Sequence, residues 1–188
     1  DLLVKDGLLK KNDFAKLSWG GDPKQVDYGT LYNQRFAVLR KAYHNFLQQR
    51  PVPGYETPYP DDWYRFQLLS SDWLPDYCLY MAIKEENGMV DWQKWPRALR
   101  LHEPAALEAF RAKHAEQIEF WSVVQYEFDR QWRALHAYAK SKDVAIMGDI
   151  PIYVAADSAD AWAGRRLFEM DADGRPRRVA GCPPDYFS

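Results

Sequence analysis

Cysteine is almost missing from this chain. There are two in 188 residues, Cys78 and Cys182, far apart and in no C-x-x-C pair. Such sparse usage fits a reducing compartment and inert thiols, and leaves at most one cross-link open. Charge of a single sign is also lacking: 25 Lys and Arg stand against 27 Asp and Glu, a formal net charge of −2. That balance carries no electrostatic footprint for nucleic acid. The small basic clusters, Arg165-Arg166 and Arg175/Arg177/Arg178, are interleaved with acids and read as a solvated face. No apolar run approaches the roughly 18 residues of a membrane span, and no signal-type segment opens the chain. The expected location is therefore the cytoplasm. Neither a P-loop, a G-x-G-x-x-G nor a G-x-S-x-G occurs. The four histidines, His44, His102, His114 and His136, stand at no ligand spacing and read as surface or capping residues. Asp171-Ala-Asp173-Gly174 lacks the further acidic ligands of a calcium loop, and Pro176 intrudes. No metal and no cofactor is expected.

Aromatic residues, by contrast, are abundant at 15%, with eight Trp and twelve Tyr, in a chain that is 47% hydrophobic. They serve either a ring-rich core or a surface that stacks on ring-shaped ligands. Most of the sequence reads as helix. From Asp27, Leu31, Phe36, Leu39, Tyr43 and Phe46 keep to one helical face, and Pro51 ends it. Pro51 to Pro60 is a loop. Asp61 to Glu86 is helical again, broken by Pro75, with Trp63, Phe66, Trp73, Tyr77 and Tyr80 read as core. Asn87-Gly88 marks a turn, and Trp92 to Pro96 a short aromatic connector. The clearest helix runs from about Pro104 to Lys140. Trp121, Val124, Phe128, Trp132, Leu135 and Ala139 form its apolar stripe, while Glu116, Glu119, Glu127, Arg130 and Arg133 form a solvated face.

The most informative stretch is Val144-Ala-Ile-Met-Gly-Asp-Ile-Pro-Ile-Tyr-Val154. An apolar run without alternation reads as a strand buried on both faces, as in a parallel sheet covered by helices. A helix leading straight into such a strand is half of a βαβ unit. Polar residues at the carboxyl end of such strands point into the mouth of a barrel, which makes Asp149 a candidate site residue. Asp157-Ser158-Ala-Asp160 then reads as a helix N-terminus, with Asp157 and Asp160 both explained by capping, and the short helix ends near Gly164. Leu167 to Val179 reads as a hairpin. The double proline at Pro183-Pro184 enforces a rigid loop that holds Tyr186 and Phe187 either outward, as a stacking platform, or tucked beneath it.

Taken together, Gly148-Asp-Ile-Pro-Ile-Tyr-Val-Ala-Ala-Asp-Ser-Ala-Asp-Ala-Trp162 and Val179-Ala-Gly-Cys-Pro-Pro-Asp-Tyr-Phe-Ser188 resemble the 4-α-glucanotransferases (amylomaltases, or disproportionating enzymes) of glycoside hydrolase family 77. Val26-Asp-Tyr28, Asp76-Tyr-Cys-Leu-Tyr-Met-Ala-Ile-Lys84, Trp92-x-x-Trp95-Pro96 and Gln131-Trp132-x-x-Leu135-x-x-Tyr138-Ala139 extend the match over nearly the whole chain. The resemblance implies an α/β fold: part of a (β/α)8 TIM barrel, predominantly helical because it includes a helical insertion subdomain at about residues 1–115. Residues 116–188 would supply one barrel helix, the strand 144–154, and the short helix, hairpin and substrate loop after it. It implies transfer of α-1,4-glucan segments between maltodextrins or glucose by a retaining double displacement, in starch or glycogen metabolism.

The family's nucleophilic Asp lies in an Arg-Ile-Asp-His type of segment and its acid/base Glu in an Ala-Glu-Asp-Leu-Gly type. Neither occurs here, so the resemblance implies an interior fragment, inactive alone and without a catalytic residue. Asp149, Asp185, Tyr186 and Phe187 are implied as substrate-binding residues. The expected partner is an α-1,4-glucan or maltooligosaccharide, with no nucleic acid and no membrane, and self-association through exposed barrel edges. The competing reading is a non-catalytic helical glucan-binding or interaction module, supported by the aromatic richness and the predominance of helix.

Overall fold

A computed structural model describes residues 2–22, 24–49, 62–178 and 181. The chain divides into two compact units. One comprises Asp1–Leu69 with Val123–Phe128, the other Ser70–Ser122 with Asp129–Ser188.

In the first unit, α1 (Leu2–Lys5) leads through a 3-10 turn to α2 (Tyr28–Gln49), and α3 is Asp62–Leu69. The α2 start follows from Asp27, whose carboxylate accepts the Thr30 N–H (2.9 Å) and the Thr30 hydroxyl (2.8 Å). These satisfy donors that a helix start leaves open. The apolar face of α2 deepens along its length: Leu31, Phe36 and Leu39 are half-buried, while Tyr43 and Phe46 are buried. Phe46, Trp63, Phe66 and Tyr126 form an aromatic cluster with centroid separations of 5.3–6.4 Å and tilted or edge-on rings, the geometry that ring quadrupoles favour. The expected loop from Pro51 to Pro60 lies outside the described residues.

The second unit is built on α4 (Leu74–Glu86), which carries Pro75 in its first turn, where the missing N–H is harmless. The break anticipated at Pro75 is thus the gap between α3 and α4. The helix ends at Asn87, and Gly88 turns at φ +70°. Cys78, Leu79, Tyr80, Ala82 and Ile83 are buried along α4. Burial pushes the Cys78 thiol up to about 12, against a hydrogen bond from Ser122, so it is an inert, protonated core group. Trp92, in the 3-10 turn Trp92–Lys94, is fully buried. With Trp95 it belongs to the core, and the connector is more than a link. Tyr80, Trp95 and Trp162 pack mutually at 5.3–5.9 Å.

After α5 (Arg97–Arg100), the long helix expected from Pro104 to Lys140 is two helices, α6 (Pro104–Lys113) and α7 (Ala115–Ser141). The chain breaks at His114, whose ring turns inward and stacks on Phe110 at 4.1 Å. His114 is therefore a core residue, and His102 lies half-buried 3.9 Å from Trp162; neither is a surface histidine. Along the middle of α7, Phe120, Trp121, Ser122, Val123, Tyr126 and Glu127 are all buried. Burial there extends around most of the helix, which takes Glu127 out of the solvated face assigned to it. Further on the pattern inverts, and Phe128, Trp132, Leu135 and Tyr138 are exposed at 43–63%.

Residues 144–154 form no strand. Val144, Ile146, Met147, Ile150, Ile152, Tyr153 and Val154 are exposed, Met147 at 96%. A strand exists only through ladder bonds to a neighbour, and among the described residues no other segment makes them to this stretch. The expected burial on both faces is absent for the same reason. The short helix α8 (Ala159–Ala163) is capped as anticipated, with the Ser158 hydroxyl accepting the Ala161 N–H at 3.1 Å. The hairpin closes through one antiparallel bridge, Met170 to Pro176. The Asp171 carboxylate accepts the N–H groups of Asp173 (2.9 Å) and Arg175 (2.8 Å) in its turn.

Candidate glucan-binding cleft

The extended stretch after Pro151 and the hairpin after α8 face each other across a cleft of about 620 Å³ in the second unit. One wall is Ile152, Tyr153, Val154 and Ala156; the other is Phe168, Met170 and Pro176, with Glu169 and Arg178 at the rim. Arg178 and Glu169 pair at 3.4 Å in an exposed setting. The cleft offers apolar and aromatic surface with a few charged groups, the composition of a site for a small neutral ligand. The volume lies within the range such sites occupy.

Behind the first wall sits a cluster the sequence pattern did not single out. Tyr80 and Lys84, one turn apart on α4, both reach Asp157. The Tyr80 hydroxyl donates at 2.7 Å, Lys84 donates to the other carboxylate oxygen, and the Trp92 N–H approaches at 3.3 Å. Asp157 is thus an ion-paired hub. Ser158 alone provides the helix cap, which corrects the capping role expected of Asp157. Burial raises the Asp157 pKa, but the hydrogen bonds from Lys84, Tyr80 and Trp92 outweigh it and the net shift is downward. The Tyr80 phenol moves upward, first by burial and then by the neighbouring carboxylate. The sequence signal that could have found this cluster is a lysine closing an otherwise apolar helical run, Leu79 to Lys84.

Of the residues expected in the site, Asp149 is exposed and lies outside the lining of the cleft; its carboxylate accepts the N–H of Ile150 at 2.9 Å. Asp185, Tyr186 and Phe187 lie outside the described residues. Two rings assigned to the core, Trp73 and Tyr77, instead line a second cleft of about 480 Å³ with Asp72, Asp76 and Asp160.

Comparison with known proteins identifies the family to which these features belong. The model of the family described as 4-alpha-glucanotransferase matches residues 1–188, so the chain belongs to that family. A 4-alpha-glucanotransferase of Streptococcus pneumoniae is 39% identical over 189 residues, covering 100% of this chain and 36% of its own length. One from Thermus thermophilus is 39% identical over 181 residues, 96% of this chain and 35% of its own. Among solved structures, the amylomaltase from Streptococcus agalactiae in complex with acarbose superposes with a TM-score of 0.90 at 39% identity, covering 100% of this chain and 37% of that one. The chain spans a little over a third of the length of the relatives it matches.

Proposed function

We propose that these 188 residues are part of a 4-α-glucanotransferase that moves α-1,4-glucan segments between maltodextrins, or onto glucose, in starch or glycogen metabolism in the cytoplasm. The observation that carries this reading is the match of the whole chain to the family, together with its likeness to an amylomaltase solved with acarbose. In this reading residues 1–115 are a mainly helical insertion subdomain. Residues 116–188 belong to a (β/α)8 barrel, and 144–154 becomes a barrel strand when flanked by its neighbours. The exposed apolar side chains from Val144 to Val154 and on the second half of α7 are what such neighbours would cover.

Retaining transfer needs a nucleophilic carboxylate and an acid/base carboxylate about 5–5.5 Å apart, and both are assigned to segments other than these. The present residues bind. By the family match, Asp149, outside the cleft lining described above, is proposed to bind glucan on the donor side, and Asp185, Tyr186 and Phe187 are proposed as further glucan contacts. Incubating the full-length protein with maltotriose tests the reading. Glucose and longer oligosaccharides should appear, with the new linkage α by proton NMR. Residues 1–188 alone should release nothing above buffer. Unchanged maltotriose with the full-length protein would refute it. In the active enzyme Tyr186→Ala should raise KM for maltotriose severalfold and leave kcat nearly as it was, because it removes binding shared by ground and transition states.

A further inference from the structure

The segment from Ala145 to Asp157 has few anchors. Val144 donates its N–H to Ala139 at 3.0 Å, and Ile150 donates to the carboxylate of its own neighbour, Asp149. Beyond these, the hydrogen bonds of the segment among the described residues converge on two consecutive positions at its far end. The Ala156 carbonyl accepts from the Trp92 indole N–H at 2.7 Å and from the Gln93 side-chain amide at 3.2 Å. The Asp157 carboxylate accepts from Tyr80, Lys84 and the Trp92 N–H.

Three of the donor residues sit in or against the core. Tyr80 is buried between Trp95 and Trp162, Trp92 is fully buried, and Lys84 has a side chain only 12% exposed. Their acceptors are not remote from the cleft: Ala156 is part of its wall, directly after Ile152, Tyr153 and Val154. Beyond Val154, where the strand proposed for 144–154 ends, the wall takes its position from the bonds at Ala156 and Asp157. A site is only as well defined as the groups that hold its lining in place.

From this geometry we infer that Asp157, held by Lys84, Tyr80 and Trp92, is a positioning residue: it fixes the Ile152–Ala156 wall of the cleft and thereby the glucan that lies against it. The inference rests on the glucan transfer proposed above. It gives Asp157 no contact with the reacting atoms, and the device acts through the main chain of Ala156. Lys84 and Asp157 also form a pair whose members depend on each other, since removing the carboxylate leaves a largely buried ammonium without its partner.

The test uses the full-length protein and maltotriose. Asp157→Asn should raise KM about tenfold and change kcat per folded molecule by less than about threefold, the signature of a displaced binding wall. Tyr80→Phe keeps the ring and removes one donor, so it should shift KM in the same direction by a smaller factor. It also stands in if Asp157→Asn does not fold. A purely structural role would lower the melting temperature and the active fraction while leaving KM unchanged in both variants, and that result overturns the inference. A second readout is independent of activity: the Trp92 indole N–H resonance, assigned with Trp92→Phe, should lie downfield and move upfield in Asp157→Asn. If wild type leaves maltotriose untouched, the functional reading fails, and this resonance alone decides the clamp. An unmoved resonance refutes it.

Discussion

Asp157 carries its charge where burial works against ionisation, and its three donors reverse the balance. Its folded pKa therefore lies below the unfolded value of 3.8. The carboxylate contributes stability that is fully present above the unfolded value and is lost as pH falls through the folded one. Acid titration of the folded fraction, followed by near-ultraviolet circular dichroism, should show a loss beginning below about pH 4. In Asp157→Asn that contribution should be missing from the difference between pH 6 and pH 3. Gly174 is another position where a single residue decides local structure. It sits in the hairpin turn at φ +78°, and a Cβ there would lie 2.9 Å from a ring carbon of the buried Trp92. Backbone and space both resist a side chain, so Gly174→Ala should cost roughly 1–3 kcal/mol, measured by urea unfolding.

At the scale of elements, α8 is short enough to depend on its cap. Ser158→Ala removes the one side-chain acceptor at its N-terminus and should cost about 1 kcal/mol in urea unfolding. Threonine at 158 should retain most of it. Several elements were legible from local chemistry. Asp27 marks the start of α2, Pro75 the break between α3 and α4, Asn87-Gly88 the end of α4, and Ser158 and Gly164 bracket α8. Each rests on groups within a few residues of one another. The stretch 144–154 and the second half of α7 are different. An apolar pattern calls for a packing neighbour, and pattern alone does not supply one. The break at His114 was equally hidden, because the step from Pro104 to Lys140 keeps its helical period while one ring rotates into the core.

For the whole molecule, exposed apolar surface is the dominant physical fact. Phe128, Trp132, Leu135 and Tyr138 on α7, with Met147, Ile150 and Ile152 beyond it, leave more apolar area in water than scattered surface residues do. Residues 1–188 expressed alone should associate as concentration rises, with a rising apparent mass by light scattering. Trp132→Glu with Leu135→Lys should reduce that rise. The candidate site was legible in part. The apolar run around Gly148-Asp149-Ile150-Pro151 drew attention to the stretch that borders the cleft, and motifs spread along the chain gave the family. Asp149 itself stands outside the cleft wall, whereas Tyr80, Lys84 and Trp92 gather around Asp157 from 65 to 77 residues away in sequence. Helix ends, turns and family membership were determined by the sequence alone, because capping, proline and glycine act over a few residues and motifs are read in order. Which acid becomes a hub, which rings are buried and which apolar faces stay open were decided only by the tertiary structure, because those outcomes depend on partners that sequence distance does not reveal.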